Sequence, residues 1–303
     1  MRAFFIALSE SKSLRAFAET SRAGQKVSRR FVAGLSVDDA LDATATRNAA
    51  GMSVSIDNLG ENVTNTEEAK HSAKLYHELL DRIAERKLDA NVSLKLTHMG
   101  LDVDEALARN IVNELVAHAA RLSSFVRVDM EGSPYTDKTL DGERDLHRQH
   151  PGRVGAVIQS YLRRSEADVR SLCADHIRIR LCKGAYKEPP EIAFQAKSEV
   201  DANFVNLTKI MLKSGTYHGI ATHDPKMIDA ATAFARSENI ARDSFEFQML
   251  HGVRRDLQQQ LVRDGWRVRI YIPFGTEWYP YLMRRLAERP ANVLFIAKNL
   301  FRS

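Results

Sequence analysis

After Gly51 the chain alternates between short strand-like and longer helical segments, and no other feature constrains the fold as tightly. Eight segments read as strands, at 52–57, 90–96, 125–131, 155–160, 176–183, 219–222, 244–249 and 268–272. Between them lie helical segments that include 66–86, 103–121, 166–173, 191–213, 225–237 and 254–264. Eight strands alternating with helices over about 250 residues is the arithmetic of a (β/α)8 barrel. Asp224-Pro225 supplies a helix cap with proline at the first helical position. Ahead of Gly51 the sequence is helical in pieces, at 3–8, 13–20, 26–32 and 37–49, the last behind a Ser36 cap. The expected organisation is an N-terminal helical segment, 1–50, packed on a barrel domain, 51–303.

The strands themselves alternate. Val92, Leu94 and Leu96 interleave with Ser93, Lys95 and Thr97. Val126, Val128 and Met130 interleave with Arg127, Asp129 and Glu131, and Ile177, Ile179 and Leu181 with Arg178, Arg180 and Cys182. A barrel strand has no exposed face, so the apolar set should meet the helices and the polar set should enter the lumen. The lumen is then expected to hold Lys95, Arg127, Asp129, Glu131, Arg178, Arg180 and Arg269. A buried charge set of that size is costly and makes most sense as a site, with an architectural ion-pair network as the alternative.

The last strand runs into a second signal. Pro273 and Gly275 end it, and from Glu277 the pattern turns helical, with Tyr281, Arg284, Arg285 and Glu288 at i, i+3, i+4 and i+7. Two adjacent guanidinium forks make a clamp for a carboxylate. A solvated basic helix face is the plain alternative, but barrels place their sites at strand ends.

Composition narrows the partners. A net charge of +5 and a pI near 9.2 come from scattered Lys and Arg, so nucleic-acid binding is not compelled and an anionic membrane surface fits equally well. Cys173 and Cys182 show no CxxC spacing, which argues for a reducing compartment and against a zinc site. The run 3–8 is too short for a signal-peptide core, and no apolar stretch approaches the roughly 18–20 residues of a membrane span. The expected location is cytoplasmic, at most peripheral on the inner face of the membrane.

Taken together, several segments resemble flavin-dependent proline dehydrogenase. They are LGENV (59–63), VSLKLT (92–97), VDMEG (128–132), VIQSY (157–161), IRLCKGAY (179–186), ATHD (221–224), FQMLHG (247–252) and IYIPFG with YLMRRLAE. They fall in the family's order, one near each strand end, over roughly residues 50–290. The resemblance implies a distorted (β/α)8 TIM barrel whose eighth helix sits over the barrel mouth. It further implies noncovalent FAD, oxidation of L-proline to Δ1-pyrroline-5-carboxylate, and a quinone electron acceptor. A separate pyrroline-5-carboxylate dehydrogenase would take the next step. The chain has no GxGxxG, so a Rossmann-type FAD site is unsupported from below.

The family's cofactor contacts map onto Met130, Gln159, Arg180, Lys183, Gly184, Ala185, Thr222 and His223. Its substrate contacts map onto Lys95, Tyr186, Leu250, Tyr271, Tyr281, Arg284 and Arg285. Lys95 and the two helix arginines would take the carboxylate, and the other four would enclose the apolar ring. Arg180 is expected beside the reacting edge of the flavin. Asp129 is expected to orient Lys95 or Arg284, with a proton-accepting role open. Glu61 would gate the site with Arg284, and Glu288 would steady Arg285. No metal is expected, because His223 has no second ligand at suitable spacing. The competing readings are a barrel flavoprotein of the methylenetetrahydrofolate-reductase type and a basic RNA- or membrane-binding module. The first needs folate and nicotinamide sites, and the second needs clustered basic residues that the charge distribution lacks.

Overall fold

Eight parallel strands close into a barrel in sequence order, each hydrogen-bonded to the next and the eighth to the first. A computed structural model describes residues 21–288, with the side chains of 22, 23, 25–27 and 284–288 outside the description. The strands are β1 Ser53–Asn58, β2 Ala90–Leu94, β3 Val126–Val128, β4 Val154–Gln159, β5 Arg178–Cys182, β6 His218–Ala221, β7 Phe245–Leu250 and β8 Arg267–Phe274. All eight expected strands are present, with ends shifted by a few residues. β3 stops at Val128, and β8 runs on through Pro273 to Phe274 because β1 still pairs with it there, Asp57 opposite Pro273 and Asn58 opposite Phe274.

Among the described residues ten helices accompany the strands. They are α1 Arg22–Phe31, α2 Val37–Ala49, α3 Thr66–Glu85, α4 Glu105–Arg121, α5 Thr136–Gln149, α6 Ser165–Ala174, α7 Lys197–Lys213, α8 Pro225–Ser237, α9 Arg255–Arg263 and α10 Trp278–Glu288. The expected caps are in place: Ser36 and Asp39 form a reciprocal capping box, and Asp224 accepts from Lys226 N ahead of Pro225. Two expectations change. Helix α7 starts at Lys197, not at 191, because residues 189–193 form a turn that bridges to Leu162. Helix α5 was not singled out in the sequence, because its inward stripe is Thr136, Thr139, Leu140, Glu143 and Leu146, with a carboxyl where an apolar residue belongs. The segments expected at 3–8 and 13–20 lie outside the described residues.

Helix α2 packs its Ala40, Leu41 and Thr44 face on β1 and β8, beside the barrel seam. That seat is where a helix following β8 would ordinarily lie. The last helix, α10, stands instead at the C-terminal rim. Its Trp278, Tyr279, Tyr281 and Leu282 bury against Val32 and against Leu59, the residue just past the end of β1.

Strand faces follow the expected register. Val128 and Ile179 are buried toward the helices, while Arg127, Asp129 and Arg180 turn inward. Such long inward side chains need space, and glycines on the inner face provide it. A Cβ on Gly219 would stand 2.3 Å from the Gln248 amide, and one on Gly155 would stand 2.7 Å from the Arg127 guanidinium.

Gly219→Ala should therefore push Gln248 off Arg180 and cost about 1–3 kcal/mol, the usual penalty for overpacking. Urea unfolding of the two proteins measures it, and an unchanged midpoint would contradict the packing described.

Three buried histidines tie acid stability to the fold. Burial, reinforced by nearby cations, pushes His98 and His251 down to about 4 and His218 down to about 3. His218 Nδ1 accepts from Ile179 N at 3.0 Å, so Nε2 carries the proton and faces Ser214 Oγ at 2.9 Å, a neutral ring. Their folded values lie below the unfolded value near 6.5, so the unfolded chain binds more protons across that window. Stability is complete above about pH 6.5 and falls as the pH drops toward 4, by up to about 1.4 kcal/mol per pH unit for each ring. His218→Gln should shrink that slope by about one proton in denaturant titrations at pH 5–7.

Candidate active site

The lumen is charged in two tiers. In the lower one Arg127 donates to the carbonyls of Ala156 and Arg178 at 2.9 and 2.7 Å, and its guanidinium lies over the Phe125 ring. Burial pushes this guanidinium down to about 9. Arg269 donates to Glu246 Oε1 at 2.7 Å and to Asn91 Oδ1 at 3.0 Å. Burial alone would raise Glu246, yet Arg269 holds its carboxyl below the ordinary range. Arg178 stacks over Phe125 and Tyr217. Every polar contact named here is internal, so this tier is architecture.

The upper tier centres on Arg180, which is 6% exposed. Its Nη1 donates to Asp129 Oδ1 at 2.7 Å and to Ser93 Oγ at 3.1 Å. Nη2 donates to Ser55 Oγ at 3.0 Å and Nε to Gln248 Oε1 at 2.6 Å. One guanidinium thus reaches β1, β2, β3 and β7 from β5. The Tyr271 ring covers it, with 5.2 Å from the guanidinium carbon to the ring centre. The Tyr271 hydroxyl donates to Asp57 Oδ2 at 2.6 Å and also lies 3.2 Å from Asp129 Oδ2.

Asp57 is 1% exposed and carries the tension of this tier. Burial raises its carboxyl above the usual range and the charge of Asp129 adds to that, while Lys95, 3.4 Å away, opposes it. Burial works equally against the Lys95 ammonium, but Asp57, Glu61 and Asp129 more than offset it and hold Lys95 above its ordinary value. Lys95 stays cationic and Tyr271, raised well above its ordinary value by burial and by both aspartates, stays protonated. The result is a fixed cation, Lys95, beside a phenol already committed to Asp57.

Several expected residues meet here and others have different company. Asp129 was expected to orient Lys95 or Arg284; its hydrogen-bonded neighbours are Arg180, Ser93 and Tyr271. Glu131 does not enter the lumen, because its carboxylate accepts from Thr97 N at 3.1 Å and Thr97 Oγ1 at 2.6 Å in the loop after β2. Glu61 stands 3.8 Å from Lys95. Tyr186 is half-buried, its phenol raised by burial and by Glu61. Leu250 is half-buried at the end of β7, and Tyr281 is buried in the α10 cluster with Leu59. Helix α10 spans Arg284, Arg285 and Glu288, but their side chains lie outside the described residues.

The ends of β3 to β6 form a polar rim. Gln159 is buried; its Nε2 donates to Glu131 O at 3.0 Å and its Oε1 accepts from Ala185 N at 3.4 Å. Met130, which follows Asp129 in the chain, is buried as well. Lys183 is bound to two carboxylates, Asp201 and Asp224, the latter at 2.9 Å. Thr222 Oγ1 accepts from Asp224 N at 3.1 Å, and His223 Nε2 accepts from Leu250 N at 2.8 Å. Gly184 has φ +115°, and a Cβ there would stand 2.3 Å from the Tyr161 ring, so packing against Tyr161 alone requires glycine.

Asp57, Ser55, Ser93, Gln248 and Glu246 were not among the expected site residues. The signal was present: Ser53, Ser55 and Asp57 alternate with Val54 and Ile56, and Glu246 and Gln248 with Phe245, Phe247 and Met249. The face rule had already put Ser93 of β2 on the inner face, and the same rule applied to β1 and β7 draws in the other four.

Comparison with known proteins identifies the family of the chain. The family profile described as Proline dehydrogenase matches residues 40–298. Proline dehydrogenase 1 of Bacillus subtilis subsp. natto is 38% identical over 304 residues, covering 100% of this chain and 99% of that one. Proline dehydrogenase of Deinococcus radiodurans is 37% identical over 280 residues, covering 91% and 90%. Among solved structures, proline utilization A from Bdellovibrio bacteriovorus, inactivated by N-propargylglycine, superposes with a TM-score of 0.82 at 26% identity. That match covers 87% of this chain and 32% of the larger protein. The chain belongs to the proline dehydrogenase family.

Proposed function

We propose that the chain is a flavoenzyme that oxidises L-proline to Δ1-pyrroline-5-carboxylate and delivers the electrons to a quinone. The observation that carries this reading is the Arg180 cation, fixed by four side chains at the barrel mouth beneath Tyr271, in a chain of this family. FAD fits the donor set at the rim. Gln159, Thr222, His223 and Lys183 offer amide, hydroxyl, imidazole and ammonium groups around the small residues Gly184 and Ala185, with Met130 alongside. Bound noncovalently there, FAD would supply the hydride acceptor.

The chain's own residues bind, orient and exclude water. Lys95, cationic throughout, attracts the substrate carboxylate, and Arg284 and Arg285 of α10 complete the clamp in this reading. Tyr186, Leu250, Tyr271 and Tyr281 supply apolar surface for the five-membered ring. In the reaction the C–H bond beside nitrogen breaks and its electron pair leaves as hydride, while the nitrogen gives up its proton. Asp129 Oδ1 accepts from Ser93 and Arg180 already, which supports an orienting charge over a base. Glu61, beside Lys95, suits a gate that closes with Arg284, and Glu288 would steady Arg285. No described helix is long and apolar enough to cross a membrane. In this reading contact with a membrane quinone is peripheral, from the cytoplasmic side. A separate pyrroline-5-carboxylate dehydrogenase would consume the product.

Two experiments test this reading. The purified protein should be yellow and bleach on anaerobic addition of L-proline but not of NADH; bleaching by NADH alone would favour the folate-reductase type of barrel. The second turns on Tyr271, whose ring would strip water from a substrate hydroxyl, at a cost of about 1–3 kcal/mol. Thus kcat/KM for L-proline should exceed that for trans-4-hydroxy-L-proline by about tenfold or more. Tyr271→Phe keeps the ring and should keep that ratio while losing about 1.5–3 kcal/mol of stability from its bond to the Asp57 carboxyl. Tyr271→Ser should narrow the ratio. A ratio near one in the wild type would refute the role given to Tyr271.

A further inference from the structure

The segment that follows β5 is tied at both ends to the end of β4. At the near end Ala185 N donates to Gln159 Oε1 at 3.4 Å, and Gly184 lies against the Tyr161 ring. At the far end the turn at 189–193 rests on Arg163. The Arg163 main-chain N donates to Ile192 O at 2.9 Å, and its Nε donates to Pro190 O at 2.7 Å. Between these ties the main chain of 186–188 bonds to no other main chain among the described residues.

The middle of the segment reaches further, to the loop after β3. There Glu188 accepts from both donors of one residue, Ser133 N at 2.7 Å and Ser133 Oγ at 2.6 Å. A carboxylate only accepts, so both of its oxygens are committed to Ser133 in one orientation. Pro189 confines Glu188 to extended backbone, so no turn separates this tie from the residues before it. Two residues before it stands Tyr186, half-buried and within electrostatic reach of Glu61, Lys95, Asp129 and Glu131. All four follow the ends of β1, β2 or β3. A side chain of the β5 loop thus stands among charged groups from the other side of the mouth.

We propose that Glu188 is a positioning residue, whose bonds to Ser133 hold Tyr186 over the substrate ring and set the affinity for substrate. The proposal rests on the reading above that Tyr186 encloses the five-membered ring. Glu188 acts through Tyr186 and needs no contact with substrate. Released from Ser133, the segment keeps both ties to the end of β4, and the freedom gained falls on 186–188. Tyr186 must then be ordered again at each binding event, which weakens binding. An enclosing ring contacts the substrate before and during the reaction alike, so the loss appears in KM and not in kcat.

The test is a double-mutant cycle on the full-length enzyme with Glu188→Ala, Tyr186→Ala and the two combined. Its readouts are KM and kcat for L-proline, and the calorimetric Kd of cyclopentanecarboxylate, a ring acid with no amine to oxidise. Glu188→Ala should raise KM and Kd about tenfold and move kcat less than about twofold. In Tyr186→Ala, where the ring is already gone, adding Glu188→Ala should change KM and Kd by less than about twofold. Glu188→Gln should stay near wild type, because its amide oxygen can accept from Ser133 N while its amide nitrogen donates to the hydroxyl. Ser133→Ala removes one of the two donors, should raise KM and Kd about threefold only when Tyr186 is present, and serves if Glu188→Ala does not fold. Unchanged KM and Kd in Glu188→Ala, or effects of the two substitutions that multiply, overturn the proposal. A wild type that binds the ring acid but does not oxidise L-proline refutes the flavoenzyme reading instead, and the calorimetric cycle still decides the role of Glu188.

Discussion

A guanidinium cannot shed its charge, so a buried one dictates terms to everything around it. Arg180 sits in the middle of the lumen and must find acceptors in every direction. Ser55, Ser93, Asp129 and Gln248 supply them from four different strands, and Tyr271 closes the top. The inner faces of those strands are therefore set by one side chain. So is the bare inner face of β6, since Gly219 leaves the room in which Gln248 turns toward Arg180. An apolar core would have tolerated many alternative packings; this one fixes the strand register through directional bonds.

The same logic divides the lumen by height. Low in the barrel, Arg127 Nη1 donates to two carbonyls, and Glu246 and Arg269 pair with each other. Two residues further along each strand, the charges stop being balanced locally. Asp57 and Asp129 share the Tyr271 hydroxyl, and Lys95 looks outward toward Glu61. The lower tier is thus a rigid plug that lets the upper tier keep an exposed face toward the mouth. Architecture and site are two levels of one network.

Much of this was legible before any coordinates. Strand number, order and faces followed from a period of two interrupted by helical stretches, because burial on both sides of a barrel wall leaves polar alternation no other meaning. What the pattern could not convey was pairing. Asp129 faces inward as expected, yet its partner is Arg180 on β5, and nothing in either segment encodes that choice across 51 positions. Glu131 obeys the alternation by number but lies three residues past the end of β3, where Thr97 takes up its carboxylate. Helix α5 escaped notice for a similar reason: its periodicity is broken at Glu143, whose carboxyl burial raises well above its ordinary range. Irregularities in a pattern, here as in the polar strands, point to chemistry more often than to noise.

The span of these contacts also bears on how the molecule comes into being. The Tyr271 hydroxyl meets Asp57 across 214 positions, and Arg269 meets the carbonyl of Val54 across 215. During synthesis at about 5–20 residues per second, β1 would wait roughly 10–40 seconds for the strand that completes it. Until then its open edge and its aspartate remain in water, and the barrel is a curved sheet with a slot. The desolvation of Asp57, Lys95 and Arg269 falls on the closing event, after most of the apolar surface has been buried. Closure is therefore the step at which a nascent chain with a wrong charge in the lumen would stall, half-rolled and with an unpaired edge on offer to its neighbours.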